Sequence, residues 1–270
     1  QARGAHPIPA STRLAPQLLA ALPFALTGAQ HRVCQEIGQD LAKPMPMLRL
    51  VQGDVGSGKT LVAVMAALQV IESGMQVALM APTELLAEQH YQNMSLWCGD
   101  LGVQVELLLG KTGKKARDGL LDRLEVGTTD LLIGTHALFQ KGVDYHNLGL
   151  VIIDEQHRFG VQQRLALKEK AVNGLPHQLT MTATPIPRTL AMTAFADMDI
   201  SVIDELPPGR TPVTTTLISQ DRRDAVIRRV NVACEAGKQI YWVCTLIEES
   251  EELQAEAAEA SANRLTEALP

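Results

Sequence analysis

The residues best suited to chemistry form one run, Gly53-Asp54-Val55-Gly56-Ser57-Gly58-Lys59-Thr60. It fits the phosphate-binding pattern G-x-x-x-x-G-K-[ST] without a mismatch. Its glycines let backbone N–H groups converge on phosphate oxygens, and a helix opening at its end adds a positive N-terminus. In that pattern Lys59 reaches the outer phosphates and the Thr60 hydroxyl holds Mg²⁺. A second candidate is the acidic pair Asp154-Glu155, directly after Leu150-Val151-Ile152-Ile153. Four apolar residues followed by two acids put both carboxylates at the mouth of a buried strand. Asp154 suits Mg²⁺ through its water shell, and Glu155 can orient or deprotonate an attacking water. A solvated strand end is the ordinary alternative, but a phosphate loop upstream in the same sheet favours the catalytic reading. A third candidate is Gln30, in the segment that starts at Phe24. A Gln just before a phosphate loop can pair bidentately with the edge of adenine, although a surface Gln at a helix start explains it equally well. The residues of this run and of the acidic pair suit a phosphate-bearing ligand and Mg²⁺.

These groups need elements that deliver them to one place. Met47 to Val51 reads as a buried strand, and Leu61 to Ile71 as an apolar helix ending at Ser73-Gly74. Further strands are expected over 76–80, 103–109, 131–133, 150–153 and 179–181, with a helix from Pro82-Thr83-Glu84 to about Trp97. Alternating strands and helices mark a parallel sheet with crossovers. The fold class is therefore α/β, with a central parallel sheet flanked by helices. Ligands gather at the carboxyl ends of strands in such sheets. Thr135 and His136, Asp154 to His157, and Thr182-Ala183-Thr184 all fall at such ends. The basic stretch from Lys111 to Arg117, including Lys114, is either a phosphate contact or a solvated loop. His90, His136 and His177 lack metal-ligand spacing, and His157 has an ordinary reading as a polar helix start.

Composition excludes several classes. Hydrophobic residues make up 46% and charged residues 20%, so the chain is globular rather than disordered. Aromatics are only 3%, so the core is aliphatic. The net charge of −6 argues against coating nucleic acid by bulk charge but leaves room for a local basic groove. The four cysteines are scattered, without a C-x-x-C, as expected of reduced thiols in the cytoplasm. No apolar run approaches membrane-spanning length and no signal peptide is visible.

Gly53–Thr60, Asp154-Glu155-Gln156-His157 and Thr182-Ala183-Thr184 resemble motifs I, II and III of superfamily 2 helicases. Phe24 to Gln30 resembles their adenine-reading Q motif, Ala81-Pro82-Thr83-Glu84-Leu85 motif Ia, and Gly134-Thr135-His136 a later strand-contacting motif. Three longer strings resemble the bacterial RecG family of branched-DNA helicases. They run from Asp154 to Val161, from Thr182 through Arg188 to Thr189, and from Ile203 to Arg210. The related transcription-repair coupling translocases share part of this pattern, but normally have Glu where Gln156 stands and lack the Asp204–Arg210 string.

The resemblance implies a RecA-like fold, with ATP held between two lobes. Adenine would lie on Gln30, phosphates on Gly53–Thr60 and Mg²⁺ on Thr60 and Asp154. Glu155 would position water, while Gln156, His157, Thr182, Thr184 and Arg188 would transmit the nucleotide state to lobe closure. Thr83, Thr135, Lys111 and Lys114 would touch DNA, either branched or duplex. Fork regression and Holliday junction migration are the implied tasks of a monomeric enzyme. The expected layout is a linker or docking segment over 1–21, a RecA-like ATP-binding domain over 22–206, a linker over 207–212 containing Pro207-Pro208-Gly209, and a truncated second RecA-like lobe over 213–270. In that lobe, strands are expected over 213–218 and 239–244, with helices from Arg222 and Glu248. A whole RecG-like protein would add a complete second motor domain with its arginine finger and an N-terminal wedge. Two other classes stay open: a coupling translocase acting on a protein partner, and a nucleotide-binding fragment without turnover.

Overall fold

Strand β1 (Leu48–Gly53) ends where the glycine run begins, and the sheet is built outward from it. The computed structural model describes residues 4–140, 142–154, 174–184, 198–205, 213–244 and 258–268. Seven strands lie in the order β3-β4-β2-β5-β6-β1-β7, all in parallel register. The others are β2 (Gln76–Met80), β3 (Val105–Leu108), β4 (Leu131–Gly134), β5 (Leu148–Asp154), β6 (His177–Thr182) and β7 (Asp199–Ile203). The first unit also holds helices α1 (Leu14–Ala21), α2 (Gly28–Leu41), α3 (Lys59–Glu72), α4 (Glu84–Cys98) and α5 (Lys114–Glu125).

The continuous apolar strands follow from burial on both faces. Side chains alternate across a strand, so Val77 and Leu79 join one core while Ala78 and Met80 join the other. Leu150 and Ile152 divide from Val151 and Ile153 in the same way. Helix α3 is buried from Leu61 to Leu68 on nearly every side, as an apolar helix with no polar face must be. The all-parallel sheet with helices packed on it is the α/β arrangement expected of a RecA-like lobe. Among the described residues no helix is long and apolar enough to cross a membrane.

Of the two readings of the N-terminal stretch, residues 4–21 follow the docking one. Ile8, Leu14 and Leu18 are buried in the main core, and the i, i+4 spacing of Leu14 and Leu18 gives α1 its inward face. Glu72, at the end of α3, caps this helix. Its carboxylate accepts from the Ser11 hydroxyl and from the backbone N–H groups of Thr12, Arg13 and Leu14. The Ser11 hydroxyl first, and then the backbone donors, draw the Glu72 carboxyl down to about 2. A depressed carboxyl stabilises the fold above its unfolded value, and that contribution fades as pH falls from about 4.5 toward 2. Glu72→Gln should therefore lower the melting temperature at pH 7 by roughly 2–4 °C, the effect of losing about 1 kcal/mol of helix cap. Calorimetry across pH should show the gap to wild type closing below about 4.5.

Strand β7 was not anticipated. Its apolar Ile200 and Val202 face outward while polar Ser201 is buried. Ser201 Oγ is held by Arg49 Nη1 at 2.8 Å, and by Glu36. Arg49 also pairs with Asp40 on α2. Burial works against the Asp40 charge, but Lys43 and Arg49 outweigh it and hold its carboxyl below the usual range. This network ties α2 to β1 and β7.

The second compact unit spans 211–270. It holds α6 (Arg223–Glu235) and α7 (Ala258–Ala268). The strands expected over 213–218 and 239–244 do not form. A strand needs a neighbour to complete its ladder, and neither stretch has one among the described residues. Leu217 is 100% exposed and Tyr241 91%, although both have strong strand or core preferences. Arg223 instead sits 5.4 Å from the Trp242 ring and donates to Ser261 Oγ. Residues 245–257, where a helix from Glu248 was expected, lie outside the described residues.

Candidate nucleotide site

Strand order brings the candidate residues to one edge. Strands β5, β6 and β1 are neighbours, with Asp154 beside Met181 and Gln52 beside Thr182. The ends carrying Gly53, Asp154 and Thr182 therefore share one carboxyl edge, though Gly53 is more than a hundred residues from the other two in the chain.

The loop after β1 turns by way of Gly56 at φ 82° and Gly58 at φ 88°, a left-handed conformation that glycine adopts without strain. A Cβ on Gly58 would collide with the Gln30 amide, and one on Gly53 would lie 2.5 Å from Ser57 Oγ. Asp54 and Val55 lie exposed on the loop. Lys59 and Thr60 open α3, where the first-turn backbone N–H groups have no carbonyl acceptor within the helix itself. Lys59 Nζ donates to the carbonyls of Gly53 at 2.6 Å and Asp54 at 2.9 Å. Ser57 Oγ is buried and finds no hydrogen-bond partner among the described residues. A close-packed cradle, a clustered ammonium and an orphaned hydroxyl all fit an oxyanion ligand.

Gln30 is buried, and its amide is engaged at both ends. Oε1 accepts from Thr27 N–H at 2.9 Å, completing a capping box with the Thr27 side chain, and Nε2 donates to the Ser57 carbonyl at 2.8 Å. Gln30 thus ties the segment after Phe24 to the glycine loop. A primary amide retains one further donor and one further acceptor site after these bonds. Beside it opens a cleft of about 660 Å³, lined by Phe24, Ala25, Leu26, Thr27, Gln30, Gly56, Gly58, Lys59, Thr60, Leu61, Asn93 and Trp97. Phe24 is half exposed on its rim.

Sequence reasoning missed two contributors. Helix α4 supplies Asn93 and Trp97 to the cleft and His90 to the acid, where His90 Nε2 lies 2.7 Å from Asp154 Oδ2. The three positions fall on one helical face, but only the fold shows what that face meets. The other contributor is the chain after β7. Glu205 accepts from Ala29 N–H at the start of α2, and Arg32 donates to the Val202 carbonyl and to Asp204. The Asp204-Glu205 pair thus fastens the helix that carries Gln30.

Other candidates are placed more simply. Thr182 is buried, and its Oγ1 accepts from Thr184 N–H at 3.1 Å. Thr83 caps α4 through Leu86 N–H, whereas Thr135 is buried at the end of β4. Lys111 is exposed and pairs with Glu88 at 2.8 Å and Glu84 at 3.7 Å, and Lys114 opens α5 on the surface. The hydrogen bond to Glu88 first, and then its charge, raise the Lys111 ammonium above its usual value. Glu155, Gln156, His157 and Arg188 lie outside the described residues.

The model for the DEAD/DEAH box helicase family matches residues 27–193. The chain is 60% identical over 269 residues to the ATP-dependent DNA helicase RecG of Pasteurella multocida, covering 98% of this chain and 39% of that protein. It is 61% identical to the RecG of Escherichia coli K12 over the same shares. A solved structure of RecG bound to a three-way DNA junction superposes with a TM-score of 0.77 at 42% identity, covering 87% of this chain and 31% of that one. The chain thus spans about two-fifths of the length of the relatives it matches. With its seven-stranded parallel sheet, its glycine loop and this agreement from end to end, the chain belongs to the DEAD/DEAH box helicase family, and its sequence aligns with the first motor domain of the RecG helicases.

Proposed function

We propose that this chain is the ATP-binding motor lobe of a helicase that acts on branched DNA. The observation that carries the reading is the shared carboxyl edge, where β1, β5 and β6 bring the glycine loop, Asp154 and Thr182 side by side. The matched relatives are named ATP-dependent DNA helicases, and a RecG structure 42% identical to this chain is solved bound to a three-way DNA junction.

On this reading the loop amides and the α3 N-terminus bind the β- and γ-phosphates of ATP. Lys59 leaves the Gly53 and Asp54 carbonyls to neutralise the outer oxygens. Thr60 and Asp154 would hold Mg²⁺, which would supply neutralisation of phosphate charge when bound. Glu155 holds the attacking water in line. Gln30 uses its remaining donor and acceptor on adenine, and Phe24 flanks the base at the rim. Gln156, His157, Thr182, Thr184 and Arg188 relay the state of the γ-phosphate toward a second lobe, and Thr83, Lys111 and Lys114 meet the DNA backbone, whereas Thr135 is buried and would first have to be uncovered to do so. Lys111 would have to exchange Glu84 and Glu88 for phosphate. The work of the whole enzyme would be fork regression and Holliday junction migration.

ATP turnover by the full-length protein should be stimulated more by a three-way junction than by linear duplex of the same length. Equal stimulation by the two DNAs, or none, would overturn the branched-DNA assignment.

A further inference from the structure

Asp154 is not held by its own strand alone. Its Oδ2 lies 2.7 Å from His90 Nε2, and the two side chains are only 14% and 9% exposed. A carboxylate only accepts hydrogen bonds, so Nε2 carries the hydrogen and His90 donates. His90 comes from the middle of α4, whose other buried residues, Ala87, Met94 and Cys98, pack into the core. A ring placed on a packed helix has little freedom, so the bond fixes one carboxylate oxygen and with it the rotamer of the acid.

We infer that His90 is a positioning residue for the Mg²⁺ site: it clamps Asp154 Oδ2 so that Oδ1 is presented to the hydrated cation of the nucleotide complex. This rests on the proposed role of Asp154 and adds a residue outside every motif recognised in the sequence. Partners that orient metal-binding carboxylates typically matter 10–100-fold in metal affinity. His90 does not touch nucleotide in this reading, so its removal should change the metal requirement and spare metal-independent binding.

The test uses the full-length protein and a fluorescent ADP analogue, titrated with nucleotide in EDTA and then with Mg²⁺ at fixed nucleotide. His90→Ala should raise the half-saturating Mg²⁺ concentration by roughly 10-fold or more while leaving affinity in EDTA within error of wild type. His90→Gln keeps an N–H donor near the position of Nε2 and should restore most of the loss. Mn²⁺ titration followed by electron paramagnetic resonance should rank the three proteins in the same order. A merely structural histidine would give a different pattern, with both affinities falling together and Gln failing to rescue. That pattern, or an unchanged Mg²⁺ requirement in His90→Ala, overturns the inference and leaves the nucleotide site standing. A wild-type protein whose nucleotide binding ignores Mg²⁺ overturns the role of Asp154 as well.

Discussion

Replacing Lys59 with Ala is expected to remove measurable nucleotide binding while leaving the domain folded. The ammonium already lies in the mouth of the loop, bonded to the Gly53 and Asp54 carbonyls. No side chain recruited from elsewhere has to cross the protein to meet a phosphate. Truncating one partner of a desolvated, hydrogen-bonded charge pair typically costs about 2–5 kcal/mol, or roughly 30- to several-thousand-fold in affinity. Titration with a fluorescent ATP analogue and Mg²⁺ should saturate for the wild type and stay flat for the variant. Lys59 also ties two loop carbonyls together, so Lys59→Gln, which keeps a donor on a shorter stem, separates loop geometry from charge. If charge is what matters, Gln should rescue little. Wild-type affinity in Lys59→Ala would place the phosphates elsewhere.

The elements that carry the site were legible because their signals are local. Strands β1, β2, β4 and β5 are short, mainly apolar runs bounded by Gly, Pro, Asp or Ser, as strands covered on both faces require; Arg49 and Gln76 are the buried polar exceptions within them, each satisfied by specific partners. The glycine loop is set by residue type at fixed spacing, and the structure gives Gly56 and Gly58 the positive φ that such a loop requires. Strand β7 was not legible. Its inward Ser201 is tolerated only because Arg49 and Glu36, from distant segments, satisfy it. The stretches over 213–218 and 239–244 failed in the opposite direction. Strand-favouring side chains are present, but preference supplies no ladder partner, and Val213, Leu217, Tyr241 and Val243 stay exposed. Proline and alanine content left linker and docking segment undecided for the N-terminal stretch, because it said nothing of Glu72, whose carboxylate organises the turn from Ser11 to Leu14.

The same distinction separates the site residues. Lys59, Thr60 and Asp154 could be named from neighbours in sequence. His90 could not, since its partner lies 64 residues away. A residue that orients a metal-binding acid has no spacing rule of its own. The recoverable signal was faint: a histidine three and seven residues before Asn93 and Trp97, on a helix otherwise packed by Ala87 and Met94. Glu205 is similar. It stood out as part of a family string, whereas its contact with Ala29 N–H makes it a cap for the helix bearing Gln30.

Glu155→Gln in the full-length protein is expected to leave Mg-ATP affinity near wild type while turnover falls by roughly 10²–10⁴-fold, the usual contribution of a positioned general base. Glutamine is close in size and keeps one acceptor oxygen, but it cannot take a proton and holds a water less strongly. Asp154→Asn should behave differently. The asparagine oxygen can still accept from His90 Nε2, which donates to Asp154 at 2.7 Å, so the position of the side chain is retained and the charge alone is removed. A hydrated divalent cation loses its anionic partner, and Mg-ATP affinity should drop together with turnover. Nucleotide binding in EDTA should not change, because Gly53–Thr60 are untouched. Single-turnover hydrolysis and equilibrium titration on both variants measure the two quantities separately. If Glu155→Gln weakened binding and Asp154→Asn slowed only the chemical step, the two acids would hold each other's roles. If neither altered turnover, the strand-end pair would be a solvated terminus and hydrolysis would need another base.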